Sequence, residues 1–476
     1  MESDEHGEVK MNIDTLFDKD MFTRKILYAW LLWVLILIFW FFQNELLPLG
    51  YDHGVYKHLI NVLSMDQGIT QLPEYLKYQF EPFSWIFFYS TTTFVGKDLF
   101  FSWGYLSVFL LIWISLFLLW KNKKTYTIGS YLGLFLFLFS SIQYLNLWWW
   151  FWKQMFAVLF FILFLRYKNK KIISWIFLAA CIALHRLTWF VAIVYLVIDL
   201  FFSRKRNIHN LGPIFVWFLF GFIPYITSFN EQILPSITGI IHRTKNQFFI
   251  SHPYWTGFSP VDFWWYLAPI LFMSVFWYIL FFYQKQGIKR YPYLFMVLFL
   301  IVLVSIRFMA YTRLWSFLDL FIIILLTKNL YHLFQKKWIY IFLLIQCITW
   351  FTFASKWHTP FISVQENKII KNLIQNMPEK ATPVALSAST MSMMTGHTAR
   401  EIYSTRQWVS GKIWTKTEKN LMKSNKDALC KSLSKLPWEP FIYIGSYENF
   451  WSINENPCIR KVVEWENGSR LFLYLK

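Results

Sequence analysis

The sequence predicts an all-α polytopic membrane protein of about eleven transmembrane helices, with a small C-terminal α/β domain on the extracytoplasmic side. Three observations predict it. Only 15% of the 476 residues are charged and 56% are hydrophobic, where a soluble domain carries about 25% charged residues. Apolar runs near the ~20 residues needed to cross ~30 Å of hydrocarbon recur along the chain. From Lys356 onward the composition becomes that of a soluble domain.

The net charge of +19 is distributed as membrane topology requires. Lys and Arg collect in cytoplasmic loops, and here they cluster at Arg24-Lys25, Lys121 to Lys124, Arg166 to Lys171, Arg204 to Arg206, Lys285 to Arg290 and Lys328 to Lys337. No nucleic-acid fold signature accompanies them, so no nucleic-acid partner is expected. Residues 1–23 are polar and form a cytoplasmic tail; no small-residue cleavage site follows the first apolar run, which is expected to stay as an anchor. Placing every basic cluster inside gives spans at 26–43, 99–120, 126–146, 152–166, 172–185, 188–202, 212–228, 263–283, 291–307, 314–327 and 338–355. The transmembrane domain is thus 24–355, in the inner membrane.

Two segments test this threading. Phe80 to Val95 is apolar enough to span, but counting it would put nearly all later basic clusters outside. It is expected to be an interfacial helix with Pro82 in its first turn, within a long first outer loop, 44–98. Residues 172–202 form a hairpin turning at His185-Arg186. As helix they extend about 46 Å, short of the ~60 Å of two crossings, so the turn is expected below the outer surface, with Arg186 facing the protein interior.

In the outer domain, 356–476, Ser363 to Glu366 (SVQE) is a capping box opening an amphipathic helix that ends near Met377-Pro378. PVALSA (383–388) and FIYIG (441–445) read as buried strands. Thr415 to Glu418 (TKTE) caps a second helix reaching about Leu433. The chain closes in a hairpin turning at Asn467-Gly468; that turn takes precedence over the glycosylation sequon it overlaps. Cys430 and Cys458 remain either free thiols or a disulfide contributing roughly 3 kcal/mol in the chain-entropy model. Cys181 and Cys347 sit in apolar runs.

Chemistry is expected at the outer ends of the helices. Asp52 lies about nine residues past the first span, between Gly50 and Gly54, with His53, Tyr56 and Glu81 in the same loop. Lys153, Arg186, Arg243, Lys245, Arg307 and Arg313 are cations on the outer side, against the charge rule; a phosphate or pyrophosphate in the outer leaflet would account for them. Trp148 to Trp150 and Trp152 read as an interfacial belt. Asp319, inside its span, is a functional candidate pairing with Arg313 or Arg186, whereas Asp199 is accounted for by Arg204 to Arg206. The only Asp-x-Asp, Asp18-Lys19-Asp20, is cytoplasmic, and the histidines lack ligand spacing. No metal or other cofactor is expected, nor a phosphate-cradling glycine loop.

A loop carboxylate, interfacial helices in the first outer loop and an outer C-terminal domain together resemble the GT-C glycosyltransferases. Locally, GYDHGVY, FEP, WKQMFAVLFFILF and ALHRLTW resemble the EpsG-type and O-antigen polymerase proteins over about residues 50–195. Asp52, Tyr56, Glu81, Gln154 and His185 fit that pattern, and Lys153 stands where arginine is usual. The resemblance implies a membrane glycosyltransferase, inverting, with Asp52 as catalytic base and an undecaprenyl-phosphate-type sugar lipid as donor to a glycan or lipid acceptor. Arg186, Arg307, Arg313, Lys153, Arg243 and Lys245 would bind donor phosphate. His53, Tyr56, Glu81, Gln154, His185 and Asp319 would line the substrate site. A polysaccharide polymerase, or a lipid-linked glycan flippase or transporter, is the alternative.

Overall fold

The structure is a computed structural model that describes residues 51–65, 84–101, 152–202, 292–305, 311–329, 345–350, 364–385, 426–446 and 456–475 almost continuously. It also describes scattered positions in 111–119, 133–143, 212–219, 390–404 and at Ile453. The chain divides into two compact units, Met1–Leu47 and Pro48–Lys476, and all described residues lie in the second. The spans expected at 26–43 and 263–283 are outside the described residues.

Among the described residues, the longer helices before the polar domain are α1 Tyr51–Met65, α2 Ser84–Val95, α3 Trp152–Arg166, α4 Lys171–Leu184, α5 Arg186–Phe202, α6 Pro292–Ser305 and α7 Tyr311–Asn329. Among the described residues no helix is long and apolar enough to cross a membrane. At 1.5 Å per residue α4 and α5 extend about 21 and 26 Å. A single extended residue, His185 at φ −152° and ψ 122°, joins them. Its carbonyl accepts the Trp189 amide at 3.0 Å and so opens α5.

Ring contacts fix how the helices run. Phe161 and Tyr195 meet at 5.8 Å, and both meet Phe321 of α7. Gln154, at the start of α3, bonds the Arg313 carbonyl near the start of α7, and Lys168, just past the end of α3, reaches Asp199 near the end of α5, so Trp152, Arg186 and Tyr311 begin their helices at one end of the bundle. Tyr195 stacks on Tyr293 and Phe190 meets Phe299, so α6 runs the opposite way. In the α3–α4 turn Lys168 reaches Asp199 at 2.5 Å and lies over Tyr195, which brings α4 back antiparallel to both neighbours. That partially exposed ion pair contributes at most about 1 kcal/mol. Each buried ring pair contributes about 0.5–1.5 kcal/mol, so the ring ladder sets the packing register. The Arg204 to Arg206 cluster expected beside Asp199 lies outside the described residues.

The segment read as interfacial is α2. Its buried residues Ser84, Phe88 and Thr92 form one stripe at i, i+4 and i+8, the mark of a helix covered on one side only. Thr91, Thr92 and Thr93 return their hydroxyls to carbonyls four residues back, so three β-branched polar residues sit in the helix without an unmet donor. Gly96, at φ 93°, ends it.

The polar domain is a three-layer sandwich. Its strands, β1 Ala381–Ala385, β2 Tyr403–Ser404, β3 Glu439–Ile444, β4 Ile459–Glu464 and β5 Arg470–Tyr474, form one sheet in the order β2-β1-β3-β5-β4. The β2-β1-β3 portion is parallel, and β5 pairs antiparallel with β3 and β4. Helix α8 (Val364–Gln375) covers one face through Ile370 and Ile374 against Ala385 and Tyr443. Helix α9 (Lys426–Leu433) covers the other through Leu429 and Leu433 against Val384, Ile442 and Phe472. β1 and β3 each begin two residues before the predicted strand. Pro383 and Pro440 sit where one side of the ladder is absent: β2 pairs only from Val384, and β5 only from Phe441. A proline inside each strand is tolerated there because no donor is asked of that edge.

The hairpin loop has three residues rather than two. Gly468 donates to the Trp465 carbonyl at 2.8 Å and takes φ 81°, the arrangement of a type I turn closed by a glycine bulge. Cys430 and Cys458 form a disulfide across 28 positions, tying α9 to the start of β4.

Candidate active site

Helix α1 carries Asp52 and His53 in its first turn. Their backbone is described and their side chains are not; the same holds for Arg186 at the start of α5. One turn after Asp52, Tyr56 is buried against Phe88 at 4.7 Å and Trp152 at 6.4 Å. Its hydroxyl accepts the Lys153 backbone amide at 3.4 Å. Trp152 is enclosed by Phe88, Phe100, Phe101 and Phe156 with 1% of its surface exposed. It is a core anchor, not the interfacial belt residue read from the sequence. The aromatic nest pins the Asp52 helix to the first turn of α3.

The next residue but one of α3, Gln154, starts a buried polar network. Its amide donates to the Arg313 carbonyl at 3.1 Å and to the Ser316 hydroxyl. Ser316 donates to the Arg313 carbonyl at 2.7 Å. One turn deeper, Asp319 Oδ2 accepts from Ser140 at 2.7 Å and from the Gln143 amide at 2.9 Å. Gln143 also donates to the Ser316 carbonyl at 3.0 Å. The expected arginine partner of Asp319 is thus replaced by a hydroxyl and an amide.

Ser140 and Gln143 were not singled out in the sequence. The apolar run 126–146 reads as one continuous span, but it breaks at Phe139–Ser140 and is helical again at Ile142 and Gln143. Ser140 Oγ accepts the Gln143 amide at 3.2 Å, as an N-cap does. The carbonyl of Phe139, freed by the break, is taken by the Gln346 amide at 2.9 Å. The signal was present as S-x-x-Q at 140–143, a capping box inside an apolar run.

The network is short of donors. Both amide hydrogens of Gln143 and of Gln154, and the hydroxyl hydrogens of Ser140 and Ser316, are already committed. Asp319 Oδ1 and Gln154 Oε1 are buried and have no hydrogen-bond partner among the described residues. Buried acceptors left unmet are costly, so the arrangement suits a guest that brings hydrogens: water, a hydroxylated ligand or a cation.

The structure therefore links Tyr56 to Lys153 and Gln154 to Arg313 through the main chains of Lys153 and Arg313, and Gln154 to Asp319 through Ser316 and Gln143. His185 is buried and its Nδ1 lies 3.1 Å from Thr188 Oγ1, within the opening turn of α5. Glu81, Arg243, Lys245 and Arg307 are outside the described residues.

On another face α1 meets the polar domain. His58, wholly buried, places Nδ1 2.8 Å from the Thr398 carbonyl, and Asn61 donates to the Gly396 carbonyl at 3.3 Å. Lys97 donates to Asn61 Oδ1. Between these contacts His397 bonds Asn367 of α8 at 2.8 Å. Burial, then the ammonium groups of Lys57, Lys371 and Lys97, push the His397 imidazole down to about 4. Glu366, beside Asn367, is buried and accepts from Tyr443, the Ser446 amide and the Ser446 hydroxyl at 3.1–3.3 Å, fastening α8 to the end of β3.

No protein-family profile matches this chain, and no curated protein matches it significantly.

Proposed function

We propose that this protein is a membrane glycosyltransferase of GT-C type, acting at the outer face of the cytoplasmic membrane on an undecaprenyl-phosphate-type sugar lipid. The observation that carries the reading is the convergence at one end of the bundle. The Asp52 helix is anchored on Trp152 and Lys153, and the adjacent Gln154–Ser316–Asp319 network lacks donors that sugar hydroxyls would supply. The disulfide in the polar domain supports an oxidising, extracytoplasmic setting.

In this mechanism the acceptor hydroxyl attacks the anomeric carbon while its proton passes to the Asp52 carboxylate. The bond between that carbon and the phosphate oxygen breaks, the electron pair leaves with the phosphate, and the anomeric centre inverts. A carboxylate with an ordinary pKa near ~3.9 is ionised at neutral pH and able to accept the proton as the new bond forms. Phosphate leaves as a stable anion, so no general acid is required. Arg186, Arg307 and Arg313, with Lys153, Arg243 and Lys245, would hold its charge in a site screened from water. His53, Tyr56, Glu81 and His185 would line the sugar-binding side, and no metal enters the scheme.

The test is transfer by purified protein from a synthetic polyprenyl-phosphate sugar. Asp52→Asn is expected to lower turnover by about 10²–10⁴-fold with donor binding retained, and Arg313→Ala to weaken donor binding. Near-normal turnover in Asp52→Asn removes the assignment. The helix break at Phe139–Ser140 is the feature that favours the flippase reading instead. Movement of labelled sugar lipid across vesicles, without glycosidic bond formation, would establish that reading.

A further inference from the structure

The polar domain is distant in sequence from Asp52, yet its loop 396–398 holds the helix that carries Asp52. His58 lies six residues after Asp52, and its partner Thr398 is 340 positions away. The acceptor is a carbonyl oxygen, which has no hydrogen, so the proton of the bond sits on His58 Nδ1. The contact is sealed: His58 is 0% exposed and Thr398 8%. Asn61, nearly a turn further along α1, repeats the contact to Gly396, and Lys97 buttresses Asn61 from the turn that follows α2. Tyr56 holds another flank of α1 in the aromatic nest. The helix is therefore gripped from two sides, one of them the polar domain.

We infer that His58 is a positioning residue: its Nδ1–H bond to the Thr398 carbonyl lets the polar domain fix the placement of the Asp52-bearing helix for catalysis. The inference rests on the glycosyltransferase reading for its catalytic part and on the seam geometry alone for its mechanical part. A base must come within hydrogen-bond reach of the hydroxyl it deprotonates, and small misplacements lower the rate about 10²-fold. A loosened α1 should thus act on turnover and leave Lys153, Arg186 and Arg313, the phosphate-binding cations on α3, α5 and α7, in place.

The experiment uses the full-length protein and two readouts. His58→Ala is expected to lower kcat at least tenfold with donor KM within twofold of wild type. It should also speed hydrogen exchange of α1 amides at least tenfold. His58→Asn, whose side-chain amide occupies the place of Nδ1, should restore both to within threefold of wild type. His58→Gln, whose amide sits one bond further out, should not. Equal rates for His58→Ala and His58→Asn overturn the proposal, as does a rise in KM at constant kcat. If wild-type protein transfers no sugar, the enzymatic reading fails by itself. Hydrogen exchange then decides the clamp: unchanged α1 exchange in His58→Ala overturns it, and rescue by His58→Asn upholds it. Should His58→Ala fail to fold, Asn61→Ala, which removes the second bond of the seam, is read in the same way.

Discussion

His397 is held neutral in the seam between α1 and α8 by burial and by three surrounding lysines, Lys57, Lys371 and Lys97. Its folded value near 4 lies below the ordinary histidine value of about 6.5, so between these limits the unfolded chain binds a proton that the folded chain refuses. Stability from this site is complete above about pH 6.5 and falls as the pH drops toward about 4. Urea unfolding of the full-length protein from pH 7 to pH 4 should show that decline, and His397→Gln should flatten it. Nothing in the sequence marked His397, because the cause is burial in a seam of remote segments, followed by the three lysines those segments bring to it. Asp319 shows the same limit from the other side. Its place inside an apolar run made it a candidate, but its partners, Ser140 and Gln143, come from another segment 176–179 positions away. Polar identity was legible at the residue scale; partnership was not.

Helices were the most legible elements, because apolar runs bounded by basic residues end where charge must leave the bundle. The expected span 152–166 coincides with α3, Trp152–Arg166, and 291–307 encloses α6, Pro292–Ser305. β2, a two-residue strand, offered no periodicity to read, and the helix expected from TKTE is described only as α9, Lys426–Leu433. Close packing between elements yields a separate prediction. A Cβ added at Gly212 would overlap the Trp175 indole of α4, with Cε2 at 2.8 Å and Cη2 at 2.9 Å. Gly212→Ala should destabilise the protein by about 1–3 kcal/mol, read as a lower thermal midpoint in detergent. Gly212→Ala combined with Trp175→Leu should recover most of the loss, since the obstruction is the ring.

For the whole molecule, the presence of a sheet in the polar C-terminal region was legible from its short apolar runs, and the sheet's order was not. Short strands predict that a sheet exists; which strand lies beside which depends on crossovers that leave no local pattern. Membrane orientation belongs to this scale as well. The proposed threading puts the N-terminus inside and residues 44–98 and 356–476 outside. Cysteines introduced at Lys380, which is exposed, and at Lys121, in a basic cluster assigned to the cytoplasm, should then differ in intact cells. An impermeant maleimide should label Lys380→Cys and spare Lys121→Cys; the reverse would invert the topology.

The Cys430–Cys458 bond has a consequence for biogenesis. The domain that grips α1 contains a linkage made only by oxidation, so on the proposed topology the bundle would insert before its clamp is finished. Cells deprived of their periplasmic-type thiol oxidase should accumulate an inserted, immature form with normal abundance and reduced output. Maturation of this protein would then follow the redox state of the envelope, not the rate of its synthesis.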